Sequence, residues 1–399
     1  MTGTNRSART KQIFTFLTIF ACILVCSHLY MFLRLSYYLQ LTGNQRIVLA
    51  SVLGSLAFFT LVALPVSRML PRRVANILTW IIYPWMGFAL LLFVTLLATD
   101  VIWMLLHFVP TQYLPESRIV LQHCFGVVAV SITLLLGVLA LWKGLGPVRV
   151  KPVTITLDRL PSSLDGFRIV QMTDLHIGPM INGNWLRRVV DKANALKPDL
   201  IVITGDLVDG SVKELGKHVA PLADLRATHG AYFITGNHEY YSGVEQWCKY
   251  VSSLGIRVLR NERVSIPAGQ SASFDLAGVD DLASYHFPGE GADLTKALAG
   301  RDPNKALILL AHQPAAVEEA ATQGVDLQLS GHTHGGQIWP FTYLVYLQQP
   351  FTKGLYHYGD TKTQVYVSSG TGFWGPPMRL GTSAEITHIT LCSPKLRPA

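Results

Sequence analysis

The chain has 399 residues, of which 50% are hydrophobic and 15% charged, and its mean hydropathy is +0.32, which excludes a wholly soluble protein. Residues 1–150 hold 11 of the 33 Lys and Arg but only 2 of the 25 Asp and Glu, so the net charge of +8 sits in that part and is not the mark of a nucleic-acid-binding surface. Five Cys, none in a CxxC pair, exclude a disulfide framework and a thiolate zinc site.

Four uncharged runs open the chain: Gln12 to Leu33, Ile47 to Ser67, Val74 to Thr99 and Ile119 to Trp142, of 22, 21, 26 and 24 residues. Each is long enough for a membrane helix, since roughly 20 residues match a hydrocarbon core of about 30 Å. Arg6, Arg9 and Lys11 resemble the basic start of a signal peptide. The apolar stretch behind them is long and lacks a small-x-small cleavage site, so it reads as a span.

With the start of the chain inside, nine cations face the cytoplasm (Arg6, Arg9, Lys11, Arg68, Arg72, Arg73, Lys143, Arg149 and Lys151) and three face outside (Arg34, Arg46 and Arg118). This positive-inside bias predicts an integral, multi-pass protein whose C-terminal domain is cytoplasmic. His28, His107 and His123 lie in or near the spans with no acidic residue inside the runs, which points to helix-contact or interfacial histidines rather than an ion pathway. The expected layout is a four-helix membrane region at 1–143, a linker and first strand at 144–164, a C-terminal domain at 165–392 and a tail at 393–399.

Beyond the linker, short apolar strands alternate with helical patterns, the mark of layered α/β structure. Strands are predicted at Phe167 to Met172, Leu200 to Thr204, Ala231 to Thr235, Phe274 to Val279, Ala306 to Leu310, Leu327 to Ser330, Gln364 to Ser368 and Glu385 to Leu391. Helices are predicted at Asn184 to Leu196, Ser242 to Leu254 and Pro314 to Gln323. Asp174-Leu175-His176, Gly205-Asp206, Gly236-Asn237-His238-Glu239, His312 and Gly331-His332-Thr333-His334 each come directly after a strand. Strand C-terminal ends converge on one edge of an open α/β sheet, where ligands bind.

Imidazole, carboxylate and amide oxygen without thiolate suit borderline divalent ions: Mn, Fe, Zn, Co or Ni. Seven such ligands exceed the needs of one open catalytic ion and divide, with one shared carboxylate, into two open sites.

These motifs resemble the calcineurin-like metallophosphoesterase superfamily over roughly residues 165 to 392. The resemblance implies a sandwich of two mixed β-sheets flanked by helices, following the four N-terminal transmembrane helices. It implies Asp174, His176 and His334 on a first ion, Asn237, His312 and His332 on a second, Asp206 bridging them, and His238 as an active-site acid. Mn is the expected metal. Paired ions would clamp phosphoryl oxygens and activate a water for in-line attack, with His238 protonating the leaving oxygen. Gly205-Asp206-Leu207-Val208-Asp209 carries Asp where purple acid phosphatases place a metal-binding Tyr, so a tyrosinate iron site is not expected.

The string from Ser330 to Gln337, together with the four spans, resembles the membrane-anchored branch of YkuE-like and transmembrane metallophosphoesterases. That branch implies a bacterial inner membrane and a phosphorylated, lipid-linked substrate such as UDP-2,3-diacylglucosamine, whose pyrophosphate some relatives cleave. Hydrolysis of soluble phosphomonoesters or nucleotides, and a non-catalytic metal-binding sensor, are the competing readings. Around this core, Asp209 is a candidate support for Asp206, Glu239 a helix cap or a support for His238, and Arg379, after the aromatic Gly372 to Met378 loop, a candidate substrate-binding cation.

Overall fold

A computed structural model describes residues 3–67, 72–110, 117–268 and 272–394. Arg68 of the positive-inside tally and residues 395–399 of the tail lie outside these. The chain divides into two compact units, residues 1–142 with 376–378 and residues 143–375 with 379–399.

The N-terminal unit consists of α1 (Gly3–Tyr38), α2 (Gly43–Ser67), α3 (Arg72–Leu105) and α4 (Arg118–Gly144). Their apolar segments Leu17–Tyr38, Gly43–Val62, Val74–Phe108 and Arg118–Gly144 are long enough to cross a bilayer, and most of their large side chains face outward. A helix that is apolar all round and exposed needs lipid as its solvent, so this is a membrane protein. His28 is a helix-contact residue: its Nδ1 donates to the Leu24 carbonyl and its Nε2 accepts from Trp85 Nε1 at 3.1 Å.

One expectation about the spans is corrected. An acid does lie in a spanning segment, because α3 continues past Thr99 and carries Asp100. The Asp100 carboxylate accepts from Tyr30 Oη at 2.5 Å, Arg34 Nε at 2.6 Å and Tyr38 Oη at 2.7 Å. Three donors from α1 satisfy the charge, which is how the helix tolerates it.

The C-terminal unit holds strands β1 (Arg149–Thr156), β2 (Phe167–Met172), β3 (Leu200–Thr204), β4 (Ala231–Ile234), β5 (Arg257–Val258), β6 (Glu262–Ala268), β7 (Ala272–Gly278), β8 (Leu307–Leu310), β9 (Leu327–Ser330), β10 (Gly354–His357), β11 (Gln364–Val367) and β12 (Glu385–Cys392). Helices α5 (Gly183–Ala195), α6 (Val212–Val219), α7 (Asn237–Ser242), α8 (Val244–Ser253), α9 (Leu294–Ala297), α10 (Val317–Thr322) and α11 (Thr342–Val345) are interspersed. The helix expected over Ser242 to Leu254 is α8, Val244–Ser253; the short α7 precedes it, and Gly243 at φ +100° turns the chain between the two.

Two six-stranded mixed sheets result, in the orders β1-β12-β2-β3-β4-β5 and β10-β11-β9-β8-β7-β6. β2 to β5 run parallel, as do β7, β8, β9 and β11, while β12 against β2, β6 against β7 and β10 against β11 are antiparallel. Period-two alternation assigns each strand's side chains to two layers. Leu200 and Val202 of β3 meet Leu276 of β7, Ile308 and Leu310 of β8, and Leu327 and Leu329 of β9 in the layer between the sheets. Ile201 and Ile203 point the other way, into a core with α5 and α8, and Leu307 and Leu309 pack against α9 and α10. The sandwich of two mixed sheets flanked by helices expected from the sequence is therefore present.

This packing leaves the C-terminal ends of β2, β3, β4, β8 and β9 to carry the polar motifs. Gln171 ties the two sheets together there, donating to Thr204 Oγ1 of β3 and to the Ser330 carbonyl of β9.

Candidate metal centre

The turns that leave these strands are backbone-strained. Among the described residues nine non-glycine positions have positive φ, and five of them are Asp174, His176, Asp206, His332 and His334, at φ 46° to 69°. Left-handed conformations cost roughly 1–2 kcal/mol each for L-residues, and such strain persists where surrounding contacts fix it, typically at functional sites. Glycines make the close approaches possible. A Cβ on Gly236 would lie 2.3 Å from Asp206 Oδ1, and one on Gly331 2.3 Å from Asp174 Oδ2. The glycines of the Gly-Asp, Gly-Asn-His and Gly-His motifs are there because the ligand loops touch.

The side chains converge. Potential ligand atoms of Asp174, His176 and His334 lie within 4.8 Å of one another, as do those of Asp206, His312 and His332, and those of His176, Asp206 and His238. Asp206 Oδ2 is the common point, 3.2 Å from His312 Nε2, 3.7 Å from His176 Nε2 and 3.9 Å from His238 Nε2. His334 Nε2 lies 3.1 Å from His176 Nε2 and 3.5 Å from Asp174 Oδ1, and His332 Nδ1 lies 3.3 Å from His312 Nε2.

Outer hydrogen bonds fix which ring nitrogen faces inward. His312 Nδ1 donates to the Thr204 carbonyl at 2.7 Å, and His176 Nδ1 donates to Asp209 Oδ1 at 3.0 Å, so each leaves Nε2 for the centre. A ligand imidazole held through its far nitrogen has both tautomer and direction set. Asp174 accepts from Thr173 Oγ1 and from the His332 backbone N–H. Asp206 accepts from the His238 N–H at 2.9 Å.

Asn237, the first residue of α7, sits between two residues that touch Asp206. Its Oδ1 is buried and has no hydrogen-bond partner among the described residues, which is costly for a group of this kind unless a cation completes it. The donor set of imidazole, carboxylate and amide oxygen, with this orphaned acceptor, fits a pair of divalent cations.

The electrostatics agree with that fit at His332, His334 and Asp206. Burial disfavours a charged His332, and neighbouring His312 adds to this, so its pKa falls to about 3. Burial and then His176 hold His334 well below its ordinary value. Both imidazoles are thus neutral, as ligands must be. Burial favours the neutral acid at Asp206, but His312 and His238 override it and hold the carboxylate well below the usual range. Burial raises Asp174, with His312 opposing. His312 goes the other way: burial works against its charge, yet Asp206 lifts it well above its ordinary value.

Two carboxylates read only loosely from sequence have defined tasks. Asp209 does not bond to Asp206; its Oδ1 accepts from both His176 Nδ1 and His238 Nδ1, the latter at 2.6 Å. Burial opposes its charge, but His176 and His238 hold it below the ordinary carboxylate range. For His238, burial is likewise overridden, by Asp206 and Asp209, and its pKa rises to about 9. Glu239 is buried beneath the loops and accepts from the N–H groups of Gly236 at 2.6 Å, Leu207 at 2.8 Å and Asp206 at 3.0 Å. Burial and the nearby Asp206 raise its pKa to about 7. It caps α7 and clamps the Asp206 turn rather than touching the His238 ring.

Arg379 needs correction. It is 0% exposed, and its guanidinium donates to the carbonyls of His334, Gly370 and Gly372, the last at 2.6 Å. A cation spent on three main-chain oxygens braces the His334 loop and is not presented to a substrate. The Gly-rich spacing around residues 370–375 could have signalled this, since carbonyls there lack side chains to shield them.

The calcineurin-like phosphoesterase family matches residues 167–336. The "Transmembrane protein with metallophosphoesterase domain" of Bos taurus is 45% identical over 273 residues, covering 66% of this chain and 61% of that protein. Its Danio rerio namesake is 42% identical over 272 residues, covering 66% and 62%. The chain thus aligns with less than two thirds of the length of these relatives. A metallophosphoesterase of Campylobacter jejuni is 36% identical over 275 residues, covering 69% of this chain and 71% of that protein. On the geometry and on these matches, the chain belongs to the calcineurin-like metallophosphoesterases.

Proposed function

We propose that the chain is a dinuclear-metal hydrolase of phosphoester or pyrophosphate bonds, anchored in a bacterial inner membrane with its catalytic domain in the cytoplasm. The observation that carries the reading is the single carboxylate, Asp206, which groups with His312 and His332 on one side and with His176 and His238 on the other, His176 being shared in turn with Asp174 and His334. Asp174, His176 and His334 would hold one ion, Asn237, His312 and His332 the other, and Asp206 both. Two bound divalent ions, with Mn the favoured pair and Fe, Zn, Co or Ni alternatives, supply Lewis-acid polarisation of a phosphoryl group and a low-pKa water.

The protein's own contribution is positional. Asp209 holds the His238 ring through Nδ1, so that Nε2 faces the cluster 3.9 Å from Asp206 Oδ2. A protonated imidazole there delivers its proton to the leaving oxygen, where charge develops. Glu239 and Arg379 keep the Asp206 and His334 loops from relaxing.

A lipid-linked substrate, with UDP-2,3-diacylglucosamine as the leading example, is supported by the four spanning helices and by the short tether of residues 145–148 between α4 and β1. The test is a substrate panel offered to the purified, Mn-loaded full chain, with lipid-linked pyrophosphates beside soluble monoesters, diesters and nucleotides. Preference for the lipid-linked member is expected. Hydrolysis of soluble esters alone would remove the lipid assignment, and no hydrolysis at all would remove the enzymatic one.

A further inference from the structure

Directly after the Gly331-His332-Thr333-His334 motif, Trp339, Phe341, Tyr343, Leu344, Tyr346 and Leu347 all stand exposed, Tyr343 at 65% and Leu347 at 80%. No Asp, Glu, Lys or Arg occurs from Leu327 to Thr352. Scattered apolar residues on a surface need no explanation, but a contiguous aromatic stretch without charge marks an interaction site.

The stretch is fastened to the metal loops. Trp339 N–H donates to the Leu380 carbonyl at 2.9 Å, and Thr342 Oγ1 donates to the Gly335 carbonyl at 3.3 Å. A Cβ on Gly336 would strike Thr342 Cα at 2.3 Å, so the two segments are in contact. Gln337 clasps the backbone of Trp374, donating from Nε2 to its carbonyl at 2.9 Å and accepting from its N–H at 3.0 Å. Trp374 is itself exposed, and its ring centroid lies 6.1 Å from that of His238. Exposed aromatic surface is thus tied, through Gln337 and Trp374, to the rim of the metal centre.

We infer that residues 338–347, with Trp374, are a docking surface for the headgroup-acyl boundary of a lipid bilayer. Uncharged clusters of Trp, Tyr, Phe and Leu are the composition that partitions to this boundary, where amphipathic rings satisfy both polar and apolar surroundings. A bilayer is also an apolar partner that accompanies the chain, because the same polypeptide carries four helices long and apolar enough to cross it. The surface stands independently of the catalytic reading. Its consequence, that a phosphate on a membrane lipid reaches His238 past Trp374, rests on that reading.

The test uses the full chain in vesicles of phosphatidylethanolamine and phosphatidylglycerol, irradiated with a carbene photoreagent confined to the hydrocarbon, with labelled peptides mapped by mass spectrometry. Labelling within residues 339–347 is expected beside that of the four spans. It should be lost from this segment in the Tyr343→Glu/Leu347→Glu variant while the spans stay labelled and metal content is unchanged. Labelled spans with an unlabelled segment in the parent protein would overturn the inference. So would a dimer that the double variant dissociates, since a second copy would then cover the surface. Retained labelling with no hydrolysis of any phosphoester would fault the catalytic reading and leave the docking surface in place.

Discussion

The two units of this protein handle buried charge in opposite ways. In the helical unit apolar side chains face outward, and Asp100 is satisfied by Tyr30, Arg34 and Tyr38, so that no ligand is needed to complete it. In the α/β unit the apolar side chains face inward, yet Asp174 and Asp206 are buried at one sheet edge beside imidazoles, and Asn237 Oδ1 has no hydrogen-bond partner among the described residues. A buried charge with its donors supplied is architecture. Carboxylates held in strained turns against imidazoles, with an amide oxygen left incomplete beside them, make a site fit for cations.

That contrast is open to attack by substitution. The largest effect is expected at the shared carboxylate: Asp206→Asn should lose hydrolysis and metal from both ligand groups, read as metal content beside rate, and an active variant would defeat the assignment. His238→Ala should keep its metal and lose about 10²–10⁴-fold in turnover, the usual worth of a positioned proton donor. Equal loss of metal in that variant would make His238 a ligand instead.

Glu239→Gln keeps the size of the side chain but sets an amide NH2 against at least one of the three backbone N–H groups the carboxylate accepts from, and about 10–100-fold weaker metal binding is expected by titration, as for other residues that orient ligands. Unchanged affinity would reduce Glu239 to a helix cap. At the small end, Asp100→Asn should leave metal content and turnover of a soluble ester unaltered while costing the helical unit about 1–2 kcal/mol, measured by unfolding in detergent. A fall in metal content would show that the two units' charges are not independent.

How much of this could be read from the sequence follows from the same physics. Strands buried on both faces, such as β2, β3 and β9, are continuous apolar runs between turns, and the expected bounds match those observed. β5, β6 and β10 were not anticipated: they are edge or near-edge elements, and Glu262, Arg263 and Pro267 break the apolar signal in β6. The candidate ligands were legible because each Gly-polar motif follows a strand, and parallel strands bring their ends together. Asp209, Glu239 and Arg379 were legible only as candidates, since their partners, two imidazoles, three N–H groups and three carbonyls, are set by loops far apart in the chain. Asp100 was missed as an intramembrane acid because composition alone ends a span at the first charge, whereas α1 supplies the donors that let α3 continue.

Asp206 is the residue that would join the two ligand groups. The most direct measurement is electron paramagnetic resonance of the Mn-loaded full chain, with metal stoichiometry determined on the same sample. Two ions per chain with an exchange-coupled spectrum, the coupling abolished in Asp206→Asn, is the result expected. A single ion per chain, or two that remain magnetically isolated in the parent protein, would contradict it.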